Sequence, residues 1–455
     1  MPKGRLSKLS EKLHQKQATC EGSQVAGATG RYKGALETRM SGKTSTAHHV
    51  GVIDGLRGIA ILAVLWFHFH QLTGLPAHLD IGNTRLDFSF LEGSGYLGVE
   101  LFFFISGFVL FYPYAKHIFE GASKPRLREF VYRRFIKIVP SYYLSLILVV
   151  ALAPLLFFPS HINVHSIFTH LAFIHNFFSS DVTGINSVYW SLAIEVQFYL
   201  IFPLLALSFT RWPVLTAMGM AVVAYVYRFW STSCCLTDHA FVRYQVPTYA
   251  DFFALGMLCS YFYVKARAQR PLWSQRPEWA TVCVFVCATL MVLLFRNVLA
   301  PLGPTWGIGA GNRPEELSYL ALLIFAFTLS SLLAAEWWRR ILSNRILLFF
   351  ATISYNLYLY HLILASSLLG RLHFPPASTI NPLDDPHWQI LFCVIGVPVV
   401  VTIATAVTYL FERPLLRLKP RFLEQDTVAL QPADTPYLTA GSVAEIQNPT
   451  QGIER

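Results

Sequence analysis

Charge is scarce in this chain. Only 14% of its 455 residues are charged, against about 25% in soluble domains, which excludes an ordinary water-soluble globule. Cysteine is scarce too. The seven cysteines include no CxxC and no Cys/His spacing, so neither a disulfide framework nor a zinc site is expected. Stretches of alternating hydrophobicity, the mark of a transmembrane β-barrel, are absent. The first 50 residues hold no apolar core of a cleavable signal peptide, and no repeat links the two halves of the chain. Gly42-Lys43-Thr44 resembles the end of a phosphate-binding loop. Glu37 stands where such a loop needs its first glycine, however, and no strand precedes it.

What is abundant is apolar surface. Hydrophobic residues make up 54% of the chain and the mean hydropathy is +0.45. They gather in runs of about 16–25 residues, long enough to cross the hydrocarbon of a bilayer. The expected fold is an all-α polytopic membrane protein with about ten transmembrane helices around a polar cavity. Spans are predicted at 55–72, 95–114, 139–158, 188–208, 213–230, 249–264, 279–299, 317–335, 346–368 and 388–411. Residues 164–178 are apolar but too short to span, and suit a re-entrant or interfacial helix. Residues 1–50 and 419–455 are polar and are expected to be disordered tails around a membrane domain at 51–418, with Met40 an alternative start.

Lys and Arg set the orientation. The loop 115–138 carries Lys116, Lys124, Arg126, Arg128, Arg133, Arg134 and Lys137. The loop 265–278 carries Lys265, Arg267, Arg270 and Arg276, and the loop 336–345 carries Arg339, Arg340 and Arg345. The intervening loops are poor in both residues, so the basic loops and both termini are assigned to the cytoplasm. The net charge of +10 follows from this topology and from anionic headgroups, without nucleic acid as a partner.

Several spans hold groups that hydrocarbon tolerates only around a polar cavity. Asp54, Arg57 and His68 share one face of the first helix, with Arg57 and His68 about 16 Å apart along it. Glu100 precedes Ser106-Gly107-Phe108. Glu195 and Tyr199 lie one turn apart, Ser354 and His361 lie seven residues apart on one face, and Asp251 opens the sixth span. Taken alone, this pattern fits an enzyme or a proton-coupled transporter or flippase equally.

Six blocks carry a more specific signal. IDGLRGIAILAVLWFH, GYLGVELFFFISGFVL, FVYRRFIKIVPSYYLSL, VYWSLAIEVQFYLIFPLL, ISYNLYLYH and FERPLLR follow one another over residues 51–418. In content and order they resemble the acyltransferase 3 family of membrane O-acyltransferases. The family's Arg, ten residues, then His is matched by Arg57 and His68. Its acidic residue before a Phe-rich Ser-Gly-Phe segment is matched by Glu100 and Ser106. Arg133, Arg134 and Lys137 match its basic cluster, with Lys137 where Arg is usual. Trp190, Glu195, Gln197 and Tyr199 match its WSL block, with Val196 where a second Glu is common.

The resemblance implies transfer of an acyl group, usually acetyl, from cytoplasmic acyl-CoA to a hydroxyl of a surface or exported glycan, lipid or metabolite. It also implies a multi-pass protein of the bacterial cytoplasmic (inner) membrane that needs no metal. About 40 residues follow the last span and no GDS-like motif occurs, so the stand-alone form without an SGNH domain is expected. In such chemistry His68 is the candidate base. Either Glu100 or Glu195 orients it, and Arg57 or Tyr199 supplies a donor to the developing oxyanion. Arg57, Arg133, Arg134 and Lys137 are candidates for the acyl-CoA phosphates, with Arg126 and Arg128 divided between that role and topology. His70 is expected at the interface. His161, His165, His170 and His175 are expected on a partly wet amphipathic segment rather than on a metal. Glu412 is expected to end the last helix, and His361 either bonds Ser354 or lines the acceptor path.

Overall fold

The computed structural model describes residues 50–75, 78–81, 84–88, 93–152, 162–234, 242–299, 314–370, 383 and 385–418. The tails expected at 1–50 and 419–455 lie, Val50 apart, outside these residues, as does His161. Apolar runs fold as long helices because a helix satisfies its own backbone where no water can do so. They are α1 (Gly51–Thr73), α2 (Gly98–Glu120), α3 (Leu127–Leu152), the short α4 (Val164–Leu171), α5 (Trp190–Arg211) and α6 (Pro213–Cys234). There follow α7 (Ala250–Gln269), α8 (Pro277–Leu294), α9 (Pro314–Leu333), the short α10 (Glu336–Leu342), α11 (Arg345–Gly370) and α12 (Pro386–Val407). A small antiparallel hairpin, β1 (His78–Ile81) with β2 (Thr84–Asp87), joins α1 to α2.

Among the described residues nine helices are long and apolar enough to cross a membrane. The tenth expected span is α7, which carries more polar side chains. Every residue from Ala250 to Ser260 is buried, so protein rather than lipid faces these groups and a strongly apolar surface is not required. The third helix also differs from expectation. It starts at Leu127, taking in the basic run that the sequence reading assigned to a loop. Long Lys and Arg side chains permit this, because their heads reach water or a partner while their stems stay apolar.

Neighbouring contacts give the helix directions. α1 and α11 run parallel. At one end a Cβ on Gly55 would stand 1.7 Å from the Leu342 carbonyl oxygen, and one on Gly58 would stand 2.3 Å from that of Leu347. Toward the other end the rings of His68 and His361 lie 5.0 Å apart. The two glycines of the Asp-Gly-Leu-Arg-Gly segment therefore let α1 touch backbone on both sides of Arg57. α2 and α5 run parallel, from Phe103 against Trp190 to Phe111 against Phe209. α3 opposes α5, with Phe130 on Phe202 at one end and Ser145 on Tyr189 at the other. Directions thus alternate as the basic loops require, and the basic residues collect at one end of the bundle.

Between α3 and α5 the chain re-enters the protein. A capping box of Asn163 and Ser166 starts α4. The carbonyls of His170 and Leu171 accept from Tyr142 and Tyr143, about 15 Å short of the described end of α3. At Phe173 the backbone turns through φ 56°, a left-handed conformation costing about 1–2 kcal/mol. Two contacts hold it: the Phe173 carbonyl accepts from Gln197 at 2.9 Å, and its ring lies 4.6 Å from that of Tyr142. Val182, Ile185, Val188 and Tyr189 are all buried. Irregular backbone at this depth is tolerated because protein, not lipid, surrounds it.

Two histidines of this segment turn inward, which corrects the partly wet reading for them, while His165 keeps an exposed side chain. His170 and His175 are fully buried, with rings stacked 4.0 Å apart. Burial pushes His170 down to about 4. Burial, reinforced by the neighbouring His170, pushes His175 to about 3. His165 instead contacts the buried Asp181 at 2.9 Å.

Candidate functional site

The polar groups of the apolar helices converge in the interior of the bundle, at two levels along α1. The upper level belongs to His68. It is half-buried, and its Nδ1 lies 2.8 Å from Oε1 of Gln71, one turn further along the same face. A carbonyl oxygen can only accept, so Nδ1 carries the proton and the lone pair of the neutral ring is on Nε2. An amide thus occupies the nitrogen where a triad would place its acid. Neither Glu100 nor Glu195 takes that position. His361 stands beside this ring on α11, fully buried, with Nδ1 at 3.0 Å from the Leu357 carbonyl and 2.9 Å from that of Tyr358.

The re-entrant segment closes the upper level. Tyr358 bonds the Val188 carbonyl at 2.9 Å and the Ser191 hydroxyl at 2.7 Å, and Asn186 donates to the Leu359 carbonyl. His361 therefore sits in a turn of α11 that α5 and the re-entrant loop clamp in place. Ser354 donates to its own helix, to Ala351, so the expected Ser354–His361 bond is not the one made. His70 lies at the end of α1, with Nδ1 on the Leu75 carbonyl at 2.9 Å.

The lower level lies toward the basic end. One oxygen of Glu195 accepts from both the Ser106 hydroxyl, at 2.6 Å, and the Tyr199 hydroxyl. The proton of Tyr199 is thereby committed, so this tyrosine is placed to anchor Glu195 rather than to serve as a free donor. The Arg134 guanidinium lies over the Tyr199 ring, 5.7 Å from its centre, with a buried Nε that has no partner. Lys137 pairs with Glu412, which lies almost fully buried just beyond α12. Asn356 of α11 donates to the same carboxylate and to Thr408. Glu412 thus does more than end a helix. It closes a π-turn, Thr408–Glu412, an insertion common at functional sites, and holds a cation at the bundle interior.

Arg57 and Arg134 both act electrostatically on Lys137, so three of the four expected donor-site cations form one group. Arg57 also reaches its own helix's Asp54, 4.0 Å away. The fourth, Arg133, does not join them. Its side chain is 65% exposed and pairs with Glu129, because one residue along a helix turns the direction by about 100°. Arg126 and Arg128 are exposed as well.

Glu100 stands apart from both levels of α1. It is in the first turn of α2 and 4% exposed, its Oε2 has no partner, and the Arg228 cation acts on it electrostatically. Arg228 was not singled out from the sequence. It lies in an otherwise apolar helix, and its partner is Asp251 at the start of α7, both almost completely buried. An arginine inside a span followed by an acid opening the next one was the available signal. Gln71 gave no signal by type. Among the described residues no group of three or more His, Cys, Asp or Glu is arranged to hold a metal ion.

Comparison with known proteins matches residues 50–407 to a family described as an acyltransferase domain. The peptidoglycan O-acetyltransferase OatA of Listeria monocytogenes is 28% identical over 335 residues, covering 69% of this chain and 49% of that protein. A protein of Staphylococcus aureus (strain COL), provisionally named an O-acetyltransferase, is 24% identical over 71% of this chain and 52% of its own length. A provisionally named acetyltransferase of Acidianus two-tailed virus is 23% identical over 70% of this chain and 84% of its own. The chain spans about half the length of the first two. No solved structure matches it.

Proposed function

This chain belongs to the acyltransferase 3 family, and we propose that it moves an acyl group, acetyl in the simplest case, from cytoplasmic acyl-CoA to a hydroxyl of a surface or exported glycan, lipid or metabolite. The glycan class is favoured by the peptidoglycan in the name of the Listeria relative. The protein is an integral membrane protein, and in this reading its basic end faces the cytoplasm of a bacterial inner membrane. One observation carries the proposal. A single helix bears a cation beside a half-buried cationic group at one end, and a neutral imidazole with a free Nε2 lone pair about 16 Å further on.

The division of labour follows from chemistry. Arg57, Arg134 and Lys137 bind the phosphates of the donor. The unspent donor on Arg134 Nε fits an anion, and guanidinium geometry suits phosphate oxygens. Lys137 is already paired with Glu412, so Arg57 and Arg134 supply most of the attraction. Arg133 adds only to the field at the mouth. Ser106, Glu195 and Tyr199 hold the wall through which the thioester end must pass. His68 Nε2 takes the proton of the acceptor hydroxyl while its oxygen attacks the thioester carbonyl. The C–O bond forms, the C–S bond breaks, and His68 returns the proton to the sulfur, leaving CoA and an ester. Gln71 keeps the correct tautomer throughout.

The test is acyl transfer by the full chain in liposomes supplied with labelled acetyl-CoA, read as release of free CoA thiol. It is joined to mass spectrometry of glycans and lipids from cells with and without the chain. CoA release together with a one-acetyl mass difference is expected. Movement of a solute without CoA release would make the protein a transporter and overturn the proposal.

A further inference from the structure

Glu100 is a buried acid that the reaction outlined above leaves unused. It opens α2 and is 4% exposed, and its Oε2 has no partner, a loss that a protein interior ordinarily avoids. A Cβ on Gly95 would stand 2.6 Å from the Ala63 carbonyl oxygen, and one on Gly98 would stand 2.4 Å from that of Ala60. α2 therefore runs against α1, and its first turn lies toward the imidazole end. Glu100 acts electrostatically on Tyr244, Tyr249 and Tyr358. The Tyr358 ring lies 5.9 Å from that of His361, which in turn lies 5.0 Å from that of His68. The unused acid and the proposed base thus border one interior region.

The surroundings of Glu100 are aromatic. One turn further along α2, Phe103 packs on Trp190 and Tyr249, and the Trp190 ring lies 4.6 Å from that of Tyr244. Trp190 and Tyr244 are only half-buried, so part of this platform stays open. The hydroxyl of Thr248, beside Tyr249 in the chain, is a second buried polar group without a partner. A few polar groups fixed among aromatic rings are the usual makings of a site that orients a ligand. A pyranose ring matches both parts. Its C–H face lies on an aromatic ring, and the hydroxyls at its edge donate to a carboxyl. An alkyl chain would leave Glu100 and Thr248 unsatisfied, and a site built to bond hydroxyls rejects ligands that lack them.

We propose that Glu100, together with the Trp190–Tyr244 face, holds a sugar residue of the acceptor, which commits the acceptor class to a glycan. The proposal rests on the acyl-transfer reading and deepens it. Glu100 accepts from sugar hydroxyls that do not react, and so presents a neighbouring hydroxyl to Nε2 of His68. Those hydroxyls keep their protons, so Glu100 is a substrate-binding group and not a second base.

The test uses purified full-length protein in lipid nanodiscs, where both faces are accessible, with labelled acetyl-CoA and oligosaccharides released from the envelope of the source organism. Label is expected in the oligosaccharides. Glu100→Gln keeps the shape of the side chain but exchanges one acceptor oxygen for a donor. It is expected to raise the KM for the oligosaccharides about tenfold, with the KM for acetyl-CoA within about twofold of wild type. Tyr244→Leu removes one ring of the platform outside the long helices, and serves should the glutamine protein fail to fold. It is expected to raise the same KM about three- to tenfold. Label recovered in the lipid or as free acetate, or an unchanged oligosaccharide KM in either folded variant, would overturn the proposal. A wild-type protein that releases no CoA would instead sink the acyl-transfer reading itself.

Discussion

The two ends of the α1 stripe solve opposite problems. At the basic end, charge is gathered and balanced: Lys137 against Glu412, Arg57 near Asp54, Glu195 between Ser106 and Tyr199. At the far end, His68 and His361 are each tied by Nδ1 to a neutral acceptor and keep a lone pair free. A cluster of cations binds an anion well but removes protons poorly. A pair of neutral imidazoles does the reverse. One helix, α1, carries a member of each group, Arg57 and His68 about 16 Å apart, and in the proposed reaction this separation keeps the charged donor away from the base.

The contrast can be broken most sharply at His68. His68→Ala is expected to lower acyl transfer by at least about 100-fold, measured as CoA release, with the protein still monodisperse and folded. Undiminished activity would end the assignment of a base to this end. At the other end, Arg134→Gln is expected to raise the KM for acyl-CoA about tenfold or more, the scale of one charge-assisted hydrogen bond, with kcat little changed. A fall in kcat at unchanged KM would move Arg134 from binding to chemistry.

The wall of the imidazole end offers a third, smaller effect. His170 and His175 are held down to about 4 and about 3, mainly by burial, below the ordinary 6.5. The folded protein therefore binds fewer protons than the unfolded chain between these values. Stability is complete above about pH 6.5 and falls as pH drops toward 4. Thermal unfolding followed from pH 7 to pH 4 should show this loss, and the His170→Phe, His175→Phe double variant should lose less. The smallest effect belongs to Arg133→Gln. Its exposed pair with Glu129 is worth little, so the KM for acyl-CoA should change no more than about twofold. A change matching that of Arg134→Gln would erase the distinction between the two arginines.

Those neighbours show where sequence reading stops. Both arginines belong to the same basic block, and as letters they are equivalent. Helix phase alone separates them by about 100°, but which direction faces the interior depends on where α5 packs. The apolar runs, the alternation of basic loops and the shared face of Arg57 and His68 were legible because each depends only on spacing along one chain segment. α7 was legible as a helix, yet its burial at the centre was not. The buried Arg228–Asp251 pair and the Lys137–Glu412 pair join residues from different helices. Nothing in either helix names its partner.

The sequence by itself determined a helical membrane protein, the family to which it belongs, and a polar stripe ending in a histidine. Hydrophobic length, charge placement and helical periodicity are local properties, and they survive being read one segment at a time. Only the tertiary structure decided that His68 is oriented by Gln71 rather than by a carboxylate, that His361 stands beside it, and that Arg134 rather than Arg133 turns inward. Those outcomes depend on helix rotation and on a re-entrant loop packed at membrane depth. Each is set by how side chains from distant segments fill one shared interior.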